Sequence, residues 1–105
     1  MSAVWMSYIL QNMAGEHLGF LLLAGDVAEG SGDCIFRVCP MKAELFDTAE
    51  AGQLFLYHDL GEFQWAMTAT GLEMRHSETG EAATLVGDVL TIQGHVYRAV
   101  PLEDS

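Results

Sequence analysis

The chain reads as a mainly β protein: one small domain, a barrel or two-sheet sandwich of about seven to nine short antiparallel strands, with at most one short helix, over 41–51. Two observations predict it. Residues 71–100, GLEMRHSETGEAATLVGDVLTIQGHVYRAV, break into short apolar runs joined by turns whose chemistry can be named. The remainder repeats the pattern, with β-branched and aromatic runs separated by clusters of Gly, Asn, Asp and Ser, and with no internal repeat, low-complexity tract or linker. A chain of 105 residues has room for one core.

Residues 4–10, VWMSYIL, form the first expected strand, with Val4, Met6, Tyr8 and Leu10 on one face and Trp5, Ser7, Ile9 and Gln11 on the other. Asn12-Met13-Ala14-Gly15 is a turn. A second strand covers 17–24; its centre, Phe20-Leu21-Leu22-Leu23, is apolar on both faces and therefore central in a sheet or covered by another element. Residues 25–32, GDVAEGSG, combine three glycines with two acids and read as an exposed loop. The third strand spans 33–39, with Cys34, Phe36 and Val38 facing one way and Ile35, Arg37 and Cys39 the other, and Pro40 ends it.

Residues 41–51, MKAELFDTAEA, are the best helix candidate, closed by Gly52. Residues 53–58 read as a strand, Asp59-Leu60-Gly61-Glu62 as a turn, and 63–68 as a strand with Phe63, Trp65 and Met67 on one face. In the closing segment, Gly80 supplies the positive φ of a short hairpin loop, and Gln93-Gly94 forms a two-residue loop between Leu90-Thr91-Ile92 and His95-Val96-Tyr97. Gly87-Asp88 breaks the chain between Thr84-Leu85-Val86 and Val89-Leu90.

Charge narrows function. The net charge is -11, and the cations are Arg37, Lys42, Arg75 and Arg98 alone. So few cations cannot neutralise many phosphates, which argues against direct nucleic-acid binding and against anionic membrane surfaces. A basic protein partner is the electrostatically favoured one. No cationic signal segment and no membrane-length apolar run occurs, so a cytoplasmic protein, or a virion protein if phage-derived, is expected. Cys34 and Cys39 would fall on opposite faces of one strand and read as reduced thiols rather than a disulfide.

The catalytic and metal motifs are missing. His17, His58, His76, His95 and the two cysteines show none of the close ligand pairs of structural zinc sites. His58 reads as a strand-end residue beside a turn Asp, and His76 and His95 as exposed turn residues. Cys34 and Cys39 lie in a strand, with Arg37 the sole nearby cation, which does not favour a thiolate. There is no G-x-S-x-G and no G-x-G-x-x-G. Trp5, Trp65, Tyr8 and Tyr57 are read as core. The expectation is a non-enzymatic protein without cofactor or metal, binding a protein partner or copies of itself. The candidate partner-binding residues are Asp26, Glu29 and Asp33, in and beside the glycine-rich loop.

Gly87, Asp88, Leu90, Thr91, Ile92, Gly94, Tyr97 and Val100 form a pattern G-D-x-L-T-I-x-G-x-x-Y-x-x-V. It resembles the closing hairpin of small tailed-phage head-completion, or head–tail connector, proteins. That resemblance implies a non-enzymatic β-barrel that assembles with copies of itself and with other virion proteins. The alternative drawn from charge is an acidic inhibitor or immunity-type protein that presents carboxylates, in place of phosphates, to a basic nucleic-acid-binding partner.

Overall fold

The computed structural model describes residues 4–26, 28–38 and 48–102. Eight antiparallel strands close into a barrel: β1 (Val4–Gln11), β2 (His17–Asp26), β3 (Ser31–Val38), β4 (Glu62–Met67), β5 (Leu72–Arg75), β6 (Ala82–Val86), β7 (Val89–Ile92) and β8 (His95–Pro101). Each strand pairs with the next in sequence, and β8 returns to β1 with Ile9 opposite Val100. Of the two architectures open in the sequence, the chain adopts the barrel, which leaves no free sheet edge to template aggregation.

Alternation decides which side chains fill the barrel. Tyr8 and Leu10 on β1, Leu21 and Leu23 on β2, Cys34 and Phe36 on β3, and Phe63 and Trp65 on β4 all point inward and are buried. Met74, Leu85, Leu90, Ile92, Tyr97 and Ala99 complete the core from the closing meander. At roughly 2 kcal/mol per fully buried large apolar side chain, this core is the main stabilising term.

The turns of the meander take the conformations their residues demand. Gly80, Gly87 and Gly94 sit at φ +78°, +63° and +83°, and Gln93 accepts φ +50° beside Gly94 to complete a two-residue loop between Ile92 and His95. The glycine-rich loop is tighter than its composition suggested. Gly25 opposes Gly32 and Asp26 opposes Ser31 within the β2–β3 ladder, so strand pairing runs almost to the tip.

The helix is displaced from its expected position. Of the expected helix over 41–51, residues 41–47 lie outside the described residues, as do Cys39 and Pro40; the helix α1 observed is Ala49–Leu60. Residues 53–58, read as a strand, are its centre, and Asp59 and Leu60, read as a turn, are its last residues. Gly52 is interior, and Gly61, at φ +92°, ends the helix. The apolar run Leu54-Phe55-Leu56-Tyr57 fits either period, and the arbiter was the N-cap: the Thr48 side chain accepts a hydrogen bond from the Ala51 amide at 3.1 Å. Ala51, Leu54 and Tyr57 then share a buried face at helical spacing, while Phe55 and Leu56 are exposed.

That buried face plugs one end of the barrel. Tyr57 stacks on Phe63 at 5.0 Å and meets Phe36 edge-on at 5.4 Å. The Tyr57 hydroxyl reaches the Ala82 carbonyl at 2.9 Å and the Glu81 carboxylate at 3.1 Å, and the Tyr97 hydroxyl donates to the Glu50 carbonyl. Buried hydroxyls are thereby satisfied at the cap rather than left as a penalty. No helix among the described residues is long and apolar enough to cross a membrane.

Candidate functional site

Histidine and cysteine are the first places to look for chemistry, and the fold gives His17, His58, His76 and Cys34 structural places. His76, expected to be exposed, is buried. Its Nε2–H donates to the Leu60 carbonyl at 3.1 Å, and its Nδ1 accepts from the backbone amides of Glu78 and Thr79 at 3.3 and 3.2 Å. One imidazole thus ties the helix end to the β5–β6 loop, a role that needs the neutral Nε2–H tautomer. His58 lies in the last turn of α1 rather than at a strand end, and its Nδ1 donates to the Phe36 carbonyl at 3.2 Å. The ring nitrogen of His17 meets the Gly19 carbonyl at 3.1 Å. His95 is half-buried at the start of β8.

Cys34 is buried inside the wall, and desolvation, with the charges of Asp33 and Glu62 adding to it, pushes its thiol up to about 12. That is the opposite of an activated nucleophile. Among the described residues, no group of three His, Cys, Asp or Glu side chains gathers as a metal site would require. An open groove of about 500 Å³ lies between the β1–β2 turn and Asp88, Val89 and Arg98, where Arg98 and Asp88 approach to 3.7 Å.

The three acids singled out from the sequence are spread along the β2–β3 hairpin. Asp26 pairs with Ser31 at the end of the ladder, Glu29 is exposed in the turn, and Asp33 is half-buried on the outward face of β3, opposite Ala24 on one side and Gln64 on the other. Asp33 also stands at the corner of a different surface, one outward position from Ile35 on β3.

That surface is the outer wall of β8, β1, β2 and β3. Opposed outward residues follow one another across the strands: Val100, Ile9, Phe20 and Arg37 in one row, then Ser7, Leu22 and Ile35 in the next. Ile9, Phe20, Leu22, Ile35 and Val100 are all half-buried, and Phe20 is braced by an edge-on contact with His17 at 4.8 Å. From residue 4 to residue 25 the sole acid is Glu16, in the turn, and β8 carries none. In a chain of net charge -11, the wall is therefore apolar with Arg37 and Arg98 at its margins. The more exposed apolar side chains elsewhere include Met13 on the β1–β2 turn, the adjacent Phe55 and Leu56 on the helix, Met67 on β4, and the opposed pair Val86 and Val89 on β6 and β7.

Sequence reasoning placed its candidate interaction residues on the acidic hairpin and did not single out this wall. The signal was present: residues 20–23 are apolar on both faces, and in the fold Phe20 and Leu22 lie on the outer one.

Gly19, within the same stretch, is demanded by geometry. A Cβ there would stand 1.9 Å from the Arg37 carbonyl oxygen, so β2 and β3 can approach at this bulged end of β2 only without a side chain.

Comparison with known proteins adds a lineage. The model of a family described as HLGFF-containing, Neisseriales, matches residues 6–104, and the chain belongs to that family. The five letters of the description fall on His17-Leu18-Gly19-Phe20-Leu21 here, with Leu in the final place. Leu18, Gly19 and Leu21 serve the core and the strand approach, whereas His17 and Phe20 face outward on the apolar wall. No curated protein and no solved structure matches the chain.

Proposed function

We propose that this member of the HLGFF-containing family is a non-enzymatic protein-binding and assembly module, and that it works through the outer wall of β8, β1, β2 and β3. The observation that carries the reading is the contiguous apolar surface built by Ile9, Phe20, Leu22, Ile35 and Val100, with acids only at its β3 and β4 side, on an otherwise strongly acidic protein. Interfaces are marked by charge depletion at their centre with aromatic and Arg residues enriched, which is the composition of this wall. The structural employment of His17, His58, His76 and Cys34 supports the same reading from the negative side.

The acidic-inhibitor alternative has less support from geometry. Glu29 lies at the β2–β3 turn, whereas Glu50 and Asp59 are on the helix and Glu78 and Glu81 are in the β5–β6 loop that the helix meets, so the acids first singled out on the hairpin are separate from those at the helix end. The resemblance of the closing hairpin to head–tail connector proteins belongs to the assembly reading, since such proteins act by joining copies and partners. In the fold its Gly87 and Gly94 are turn residues, and its Leu90, Ile92 and Tyr97 are core. A cytoplasmic or particle-associated location follows from this reading.

The test is site-specific photocrosslinking in cells that express the protein, with benzoylphenylalanine placed at Phe20 on the wall or at Thr84 on the far side. An adduct of defined mass from position 20 and none from position 84 is the expected result. No adduct from position 20, or equal adducts from both, overturns the proposal.

A further inference from the structure

The wall also carries a pattern that says what covers it. Along β3 the outward side chains run Asp33, Ile35, Arg37, and across from them on β2 run Ala24, Leu22, Phe20. Each strand is thus arranged about a central apolar residue, with an acid opposed to a base on one strand and a small side chain opposed to a large one on the other. We infer that the occupant of this wall is a second copy of the chain, docked face to face about a twofold axis that crosses the strands at the Leu22–Ile35 row; the inference rests on the protein-binding reading above.

The geometry follows from the symmetry operation. A half-turn about an axis lying in the face and running across the strands lays each strand antiparallel on its own counterpart. Arg37 then meets Asp33 of the second copy, and the same pair recurs on the other side of the axis, as an isologous interface requires. Phe20 likewise lies over Ala24 of the second copy, large on small, while Leu22 and Ile35 pack near their own equivalents. Aligned packing of two sheet faces is an ordinary solution for apolar walls. Arg37 is exposed and Asp33 half-buried, so both can reach a partner. Residues 4–11, 17–25 and 95–101, which make up most of the wall, carry no acid, which limits repulsion between two chains of net charge -11. Glu62, opposite Ile35 on β4, marks the rim at which the barrel curves away.

Reciprocity makes the test decisive. Sedimentation equilibrium on the purified full chain at physiological salt is expected to give a mass twice 11.5 kDa. Arg37→Asp alone, or Asp33→Arg alone, sets like charges against each other on both sides of the axis and is expected to weaken dimerisation about ten-fold or more. The double exchange Asp33→Arg with Arg37→Asp restores opposite pairs in every position and should return the affinity to near the original value. Thermal melts of all variants report folding separately, and neither side chain lies in the core.

A monomer at all concentrations, single variants that dimerise as the original does, or a double exchange that fails to restore would each overturn the inference. A monomer that still crosslinks from position 20 to a different protein removes the second copy as occupant and leaves the protein-binding reading standing.

Discussion

The indole of Trp65 lies across the backbone of Gly32, its cross-strand partner, and donates from Nε1 to the Ala24 carbonyl at 2.7 Å. This is possible because residue 32 has no side chain: a Cβ there would stand 2.1 Å from the Ala24 oxygen and 2.9 Å from Nε1. A glycine and a tryptophan on neighbouring strands thus fill one site together, and the largest side chain of the core satisfies its polar end against a strand that it does not pair with.

Gly32→Ala should therefore act as an overpacking change. It displaces Trp65, breaks the indole hydrogen bond and is expected to cost about 3 kcal/mol. Thr84→Ala, on the exposed face of β6, should fall within about 0.5 kcal/mol of the original chain. Urea unfolding followed by tryptophan fluorescence measures both. Equal midpoints for the two variants would refute the packing account.

Cys34 predicts an alkaline limit. Its thiol is pushed up to about 12 in the folded chain, and burial also raises the Tyr97 hydroxyl. The unfolded thiol loses its proton near 9, so between about 9 and about 12 the native state holds a proton that the unfolded state has released, and stability falls as pH rises. Below 9 both states are protonated and this contribution is fully present. Iodoacetamide at pH 8 should consequently modify Cys34 only as fast as the chain opens, and Cys34→Val should flatten the decline above pH 9. Rapid alkylation in native buffer would contradict the burial described.

His76 predicts a measurable tautomer. Nitrogen-15 spectra should show a proton on Nε2 and none on Nδ1, since Nδ1 accepts from the Glu78 and Thr79 amides. His76→Ala leaves those donors and the Leu60 carbonyl without their partner and is expected to cost about 3 kcal/mol. Its loss should appear locally as faster hydrogen exchange at the end of α1. An Nδ1–H tautomer, or unchanged exchange in the variant, would remove the proposed link.

The strands were legible because their cues are local. Alternation over 4–11 and 62–67 and the turn glycines Gly80, Gly87 and Gly94 each act within a few residues, and the structure follows them. The helix was not legible in the same way. Its apolar run suits both periods, and its start is marked by the Thr48 side chain, which caps the Ala51 amide. His76 was misplaced for a related reason: its position beside a hairpin loop is local, but its burial is created by a helix end sixteen positions earlier in the chain.

The sequence by itself determined that this is a small acidic β protein, which residues share a strand face, and which glycines turn the chain, because φ/ψ preference and period-two alternation are properties of neighbouring residues. Only the tertiary structure decided that the sheet closes, that the helix plugs one end, and that Ile9, Phe20, Leu22, Ile35 and Val100 gather on one outer wall. Those residues come from four strands. Their meeting is fixed by inter-strand register, a long-range quantity that no local preference specifies.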